Sequence, residues 1–175
     1  MSKSNSQQLK KGDEYTLPSN WPSPKPEDAE NPETVVRALY DVISGGAEEA
    51  RDWQRFRSLC LPDARFLITR WVTPESEKES IWEWNVEGFI AEAQEFYSKN
   101  GFWERQIRSH IEKFGNVAHV FSTYESRINN PDEEPIVRGI NSIQLVRYQE
   151  RWWVASLCWD VERPHNRIPS EYDAE

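Results

Sequence analysis

FGNVAHVFSTYESR, running from Phe114 to Arg127, decides the fold. Gly115-Asn116 carries a two-residue turn signal. After it, Ala118, Val120, Ser122 and Tyr124 alternate with His119, Thr123 and Glu125, the period-two pattern of a strand with two unlike faces. A two-residue turn sets Phe114 opposite Val117 and Ile111 opposite Val120. The preceding strand, from about residue 102 to 114, then adds Trp103, Ile107, Ser109 and Ile111 to the apolar face. Arg108, His110 and Glu112 join the polar face. The apolar face is expected to be concave.

A second paired segment follows in RGINSIQLVRYQERWWVASLCWDVE, Arg138 to Glu162. Strands are predicted over about 136–148 and 151–161, with a short turn near Tyr148 to Glu150. One face holds Arg138, Ile140, Ser142 and Gln144 with Trp153, Ala155, Leu157 and Trp159. The opposite face holds Asn141, Ile143 and Leu145 with Trp152, Val154 and Cys158. Both faces are apolar enough to need cover. The Arg138–Trp159 face, aromatic with a few polar groups, is assigned to the concave side. Gly139 is the one glycine inside these strands and marks a candidate bulge.

Upstream the period changes to that of helices. Asn31-Pro32-Glu33 is an N-cap, a first-position proline and a first-turn acid. Val35, Val36, Leu39, Tyr40 and Ile43 follow at helical spacing, and Gly45-Gly46 stops the run. A second helix is predicted from about Glu48 to Leu61, with Trp53, Phe56, Leu59 and Cys60 on one face and Pro62 beyond it. Ala64 to Val72 reads as a strand. A polar loop over 73–80 and a short strand over 81–84, paired with the first, come next. Asn85 caps a third helix with Val86, Phe89, Ile90, Ala93, Phe96 and Tyr97 as its stripe. Segregated helices and strands give an α+β domain: a cone-shaped, strongly curved antiparallel sheet with three N-terminal helices on its concave side. Its limits are 31–162, after a disordered or extended arm over 1–30 and before a polar tail over 163–175.

Composition narrows the function. A formal net charge of −9 disfavours nucleic-acid backbones and anionic membrane surfaces as partners. Cys60 and Cys158 are too few for a disulfide framework and read as buried thiols. The first fifteen residues lack the apolar core of a secretory leader, and no stretch reaches membrane-span length, so the expected location is cytoplasmic. Nine tryptophans supply large groups to bury.

These two paired segments, with VVRALYDVISGG and LCLPDARFLI upstream, resemble the SnoaL-like branch of the nuclear transport factor 2-like superfamily. The resemblance runs from about Pro32 to Glu162. It implies a scaffold shared by isomerases, dehydratases, epoxide hydrolases, polyketide cyclases and non-catalytic binding modules, so it fixes a fold rather than an activity. The general-base Asp that some members carry late in the first strand has no counterpart in Ala64 to Arg70. Neither a His–Asp pair nor an Asp–Arg–Asp set can be assembled.

Strand periodicity nominates the lining of a pocket. Tyr124, Arg138, Ser122 and Gln144 converge from neighbouring strands, with Ser142 beside them. Trp103, Trp153 and Trp159 form walls, and Tyr40 lids the space. Tyr124 and Arg138 are the catalytic candidates, Tyr124 as a hydrogen-bond donor to a carbonyl and Arg138 as a partner for a carboxylate or enolate. Against these stand a satisfied core tyrosine and an ion pair of Arg138 with Glu125 or Glu83. His110, Glu112 and His119 share a face, but Arg108 and Lys113 among them oppose a metal ion; no metal and no cofactor are expected. The second apolar sheet face predicts a homodimer through Ile143, Leu145, Trp152 and Val154. Two functions remain open: a pocket for a small hydrophobic carbonyl or carboxylate ligand, serving an isomerase, lyase or cyclase, or a non-catalytic dimerisation and binding module.

Overall fold

The computed structural model describes residues 14–69 and 80–174. The loop expected over 73–80 falls almost wholly outside the described residues, as do Arg70 to Val72 of the predicted first strand and the first thirteen residues of the arm. Helix α1, Pro32–Ile43, starts at a capping box in which the Asn31 side chain accepts from the Thr34 amide while the Thr34 hydroxyl accepts from the Asn31 amide. Helix α2, Trp53–Leu59, starts at Asp52 rather than near Glu48. The preceding loop is instead pinned by Arg51, whose guanidinium donates to the carbonyls of Ile43, Gly45, Gly46 and Glu49. Helix α3, Val86–Tyr97, is capped by Asn85.

The strands are β1, Cys60–Ile68; β2, Trp82–Trp84; β3, Phe102–Phe114; β4, Val117–Ile128; β5, Val137–Tyr148; and β6, Arg151–Val161. They form one sheet in the order β2-β1-β6-β5-β4-β3. The fold is α+β as expected, but the sheet is mixed rather than antiparallel throughout. Strands β3 to β6 are a meander, whose last strand returns beside β1 in the same direction, with Phe66 opposite Leu157 and Ile68 opposite Trp159. The helices cover the concave side.

Two bulges set the faces. Ile107 is an extra residue in β3, between the pairs Gln106–Tyr124 and Arg108–Thr123. Ala155 is an extra residue in β6, between Ser156–Gln144 and Val154–Leu145. A bulge shifts alternation by one, so side chains before and after it exchange sides. On β6 this brings Trp152 and Val154 to the same side as Leu157 and Trp159, and Asn141, Ile143 and Leu145 of β5 face that side with them. The homodimer surface assigned to Ile143, Leu145, Trp152 and Val154 is therefore corrected: these four are 1%, 1%, 4% and 0% exposed within a single chain, beneath the helices.

Described segments on either side of the domain lie against it. Trp21 donates its indole N–H to the Cys60 carbonyl, the Trp152 amide donates to Ala29, and buried Asp28 holds Arg55 at 2.7 and 2.9 Å. On the outer face the Thr123 hydroxyl donates to the Tyr172 carbonyl, Arg108 donates to the Asp173 carbonyl, and the Tyr172 ring meets Phe121 edge-on. Among the described residues no helix is long and apolar enough to cross a membrane.

A core position and a subunit contact respond differently to truncation. Ile143→Ala is expected to lower unfolding free energy by about 2–5 kcal/mol, with the same loss at every protein concentration. Urea titrations at several concentrations measure it; a loss present only in dilute protein would return Ile143 to an interface.

Candidate functional site

Curvature leaves a hollow of about 480 Å³ between the helices and the concave sheet face. Its walls are aromatic. Trp84 stacks on Trp159 at 6.0 Å between ring centres, Phe89 on Phe66 at 4.8 Å, and Tyr97 on Phe102 at 5.2 Å. Charged groups gather where α3 ends, at Glu92, Glu95 and Lys99, with Lys99 ion-paired to Glu95 at 3.1 Å.

One polar chain crosses this apolar space. The bulge at Ile107 turns Phe102, Glu104 and Gln106 of β3 inward, while Ser109 and Ile111 beyond it also face the helices. Asn141 Nδ2 lies 3.3 Å from Glu104 Oε1 and 3.0 Å from the Tyr40 hydroxyl. Tyr40 bonds the Ser122 hydroxyl at 2.7 Å, and Gln106 Nε2 donates to that same hydroxyl at 2.7 Å. Asn141 is thus the element shared between the carboxyl and the tyrosine.

Glu104 is the chemically distinctive member. Burial pushes its carboxyl up to about 8, and the single amide of Asn141 offsets only part of that. Among the described residues no Lys, Arg or His pairs with it. Tyr40, Tyr97 and Tyr124 are each raised, first by burial and then by the charge of Glu104. Near neutrality the site therefore holds three neutral phenols and a carboxyl poised between acid and base, the range in which one group can both give and take a proton.

The structure brings together some of the residues nominated from sequence. Tyr40, Tyr124 and Trp159 line the hollow, and Ser122 lies beneath Tyr40. Gly139 opposes Tyr124, and a Cβ there would stand 2.7 Å from the Tyr124 hydroxyl and press on the Asp160 carbonyl, so glycine is what lets the ring sit where it does. The remaining nominations are corrected. Arg138, Ser142 and Gln144 point to the outer face because Asn141 and Ile143, one residue out of phase, point inward. Arg138 pairs there with Glu162 at 3.2 Å and with Asp173, while Glu125 and Glu83 pair with other arginines. Ser142 bonds His119 Nε2 at 3.0 Å. Trp103 and Trp153 are out of phase across the two bulges; Trp153 is buried under the Arg151 guanidinium, 4.0 Å from its ring centre.

His110, Glu112 and His119 do share the outer face, with histidine-to-carboxylate separations of 3.8 and 4.0 Å. Among the described residues no group of three or more His, Cys, Asp or Glu side chains is arranged to hold a metal ion. Sequence reasoning missed Glu104, Asn141 and Tyr97. The available signal was a lone acid between Phe102 and Gln106; without the bulge at Ile107, alternation sends it outward.

Comparison with solved structures places this architecture. A protein of unknown function with a cystatin-like fold from Nostoc punctiforme PCC 73102 superposes with a TM-score of 0.57 at 10% identity, over 75% of this chain and 89% of that one. An NTF2-like protein from Cytophaga hutchinsonii ATCC 33406 gives 0.54 at 13% identity, over 75% and 99%. An NTF2-like protein of unknown function from Silicibacter pomeroyi DSS-3 gives 0.51 at 11% identity, over 74% and 92%. The chain has the nuclear transport factor 2-like fold. At these identities the likeness of this NTF2-like chain to others is one of fold alone. No protein-family model matches the sequence, and no curated protein matches it.

The raised Glu104 acidity ties stability to pH. In the folded chain the carboxyl keeps its proton up to about pH 8, whereas the unfolded chain releases it near ~4.3. The folded state is therefore favoured most by this group at low pH, and that contribution is lost as pH rises from the unfolded value through about 8. Glu104→Gln, which cannot ionise, is expected to be the more stable protein at pH 9 by on the order of 2–4 kcal/mol, allowing for water that reaches the carboxyl through the hollow. At pH 5 the difference should nearly vanish. Urea denaturation at pH 5, 7 and 9 reads it; a difference that does not change with pH would mean the carboxylate carries no burial penalty.

Proposed function

We propose that this NTF2-like domain binds a small, largely apolar molecule in the hollow and exchanges a proton with that molecule's polar centre through Glu104. The observation that carries the reading is a carboxyl held near pH 8 in the wall of an aromatic cavity of about 480 Å³. The cavity volume falls in the range of small-molecule sites, roughly 300–1,000 Å³, and such sites pair apolar walls with a few convergent polar groups. A group whose acidity is displaced by burial inside a cleft is a candidate for proton transfer.

This supports a SnoaL-like small-molecule role in place of a purely structural module. It supplies the proton acceptor that the first strand lacks, from β3 instead. As acid, Glu104 can donate to a bound acceptor; as base, it can take a proton, the step at the centre of isomerase and lyase reactions. Tyr124 and Tyr40 lie in the same wall as neutral donors. A carboxylate ligand fits poorly, because Arg138 faces the other way and three carboxyl groups, Glu92, Glu95 and Glu104, face or rim the hollow.

The test uses 2-acetonaphthone, a neutral, flat probe smaller than the cavity. Its binding is expected to change the fluorescence of Trp84 and Trp159, which stack in the wall. Leu157→Trp, which fills the hollow from β6, should weaken that binding by at least about tenfold while leaving the circular dichroism unchanged. Equal binding by the filled variant would place the probe elsewhere and remove the reading.

A further inference from the structure

The acidic character of the hollow says more about its ligand than its size does. Among the described residues the acids on the hollow's lining are Glu104, Glu92 and Glu95, and the one basic side chain is Lys99, already paired with Glu95. Arg51 stands behind the wall, its charge 5.0 Å from the Tyr97 ring centre and its donors spent on backbone carbonyls. From α1, α3 and β4 the groups facing Glu104 are the neutral phenols Tyr40, Tyr97 and Tyr124; β5 contributes the neutral amide Asn141. An anion, or an oxyanion developing on a carbonyl, meets net negative charge. A cation meets the Glu104 carboxyl, which has no ion-pair partner among the described residues, in an aromatic-walled space, and aromatic rings attract positive charge through their quadrupoles.

We propose that the polar centre of the ligand is a cationic nitrogen, that of a lipophilic amine or protonated imine, seated between the Glu104 carboxylate and the aromatic walls. This rests on the reading of the hollow as a binding site. Such a ligand supplies the counter-charge that the described residues do not give Glu104, and buried charges are stable only when paired. The net charge of −9 on the whole chain favours the approach of a cation. Pairing also has a proton consequence: a carboxyl that is neutral at pH 7 must ionise when the ammonium arrives, so about one proton leaves per ligand bound.

Three naphthalenes of similar size separate the alternatives on the full chain at pH 7: 2-naphthylmethylamine, 2-acetonaphthone and 2-naphthoate. Titration calorimetry in two buffers of different ionisation enthalpy gives affinity and proton release together. The amine is expected to bind at least about tenfold more tightly than the ketone, with naphthoate weakest and with proton release for the amine alone. Glu104→Gln should erase the amine's advantage over the ketone and its proton release. A ketone that binds as well as the amine overturns the proposal but leaves the hollow a binding site. The proposal falls in the same way if the amine releases no proton from the wild-type chain, a measurement that needs no variant. If none of the three binds, the binding-site reading fails with it.

Discussion

One extra residue in each of two strands governs everything beneath the helices. Without Ile107 the inward side of β3 would alternate unbroken from Ile111 and Ser109 to Trp103, and Glu104 would point to solvent. Without Ala155 the pairing of Val154 with Leu145 and of Trp152 with Arg147 could not coexist with that of Leu157 and Trp159 with Ile143 and Asn141 on the same face. A bulge also bends and twists its strand, and these two lie in strands at opposite sides of the meander. The same local change therefore serves two ends: it helps bend the sheet around the helices, and it chooses what the resulting hollow contains.

The content of the hollow runs against stability. A carboxyl among Phe102, Tyr97, Tyr124 and Asn141 is desolvated with a single amide in compensation, where an apolar residue of similar size would pack without penalty. Asp28 is the internal contrast. It is the more buried of the two by exposure, yet Arg55 grips both its oxygens and holds its carboxyl below the usual range. The protein thus pairs a buried acid where the task is to tie the N-terminal arm to α2. It leaves unpaired the acid that faces open space.

Much of the fold was legible because its signals are local. The Asn31-Pro32 cap, the Asn85 cap and the Gly115-Asn116 turn each fix one boundary by backbone chemistry, and all three stand where the sequence puts them. The long strands followed from alternation. The inner and outer faces were only partly legible, since alternation propagates perfectly until a bulge interrupts it, and neither Ile107 nor Ala155 is a residue that announces one. Gly139 has the look of a bulge and is instead a place where the Tyr124 ring crosses close to the backbone. The parallel contact of β1 with β6 was illegible for a different reason: it joins segments about ninety residues apart, and no short-range pattern encodes which strand a meander returns to.

Phase error accounts for the misassigned site as a whole, and it does so with a constraint attached. Arg138 and Asn141 lie on the same strand three residues apart, so only one of them can face inward. The choice between them is a choice between a cationic and a neutral wall. With Arg138 inside, the hollow would hold a guanidinium beside Glu104; the two would pair, the carboxyl would fall to ordinary acidity, and the space would suit an anion. With Asn141 inside, the carboxyl keeps only a weak neutral donor, and Arg138 is left to hold Glu162 and Asp173 on the outer face. The register of β5 relative to its neighbours therefore sets the electrical sign of the cavity. That sign, more than the fold shared with its structural neighbours, is what a ligand of the proposed site would have to match.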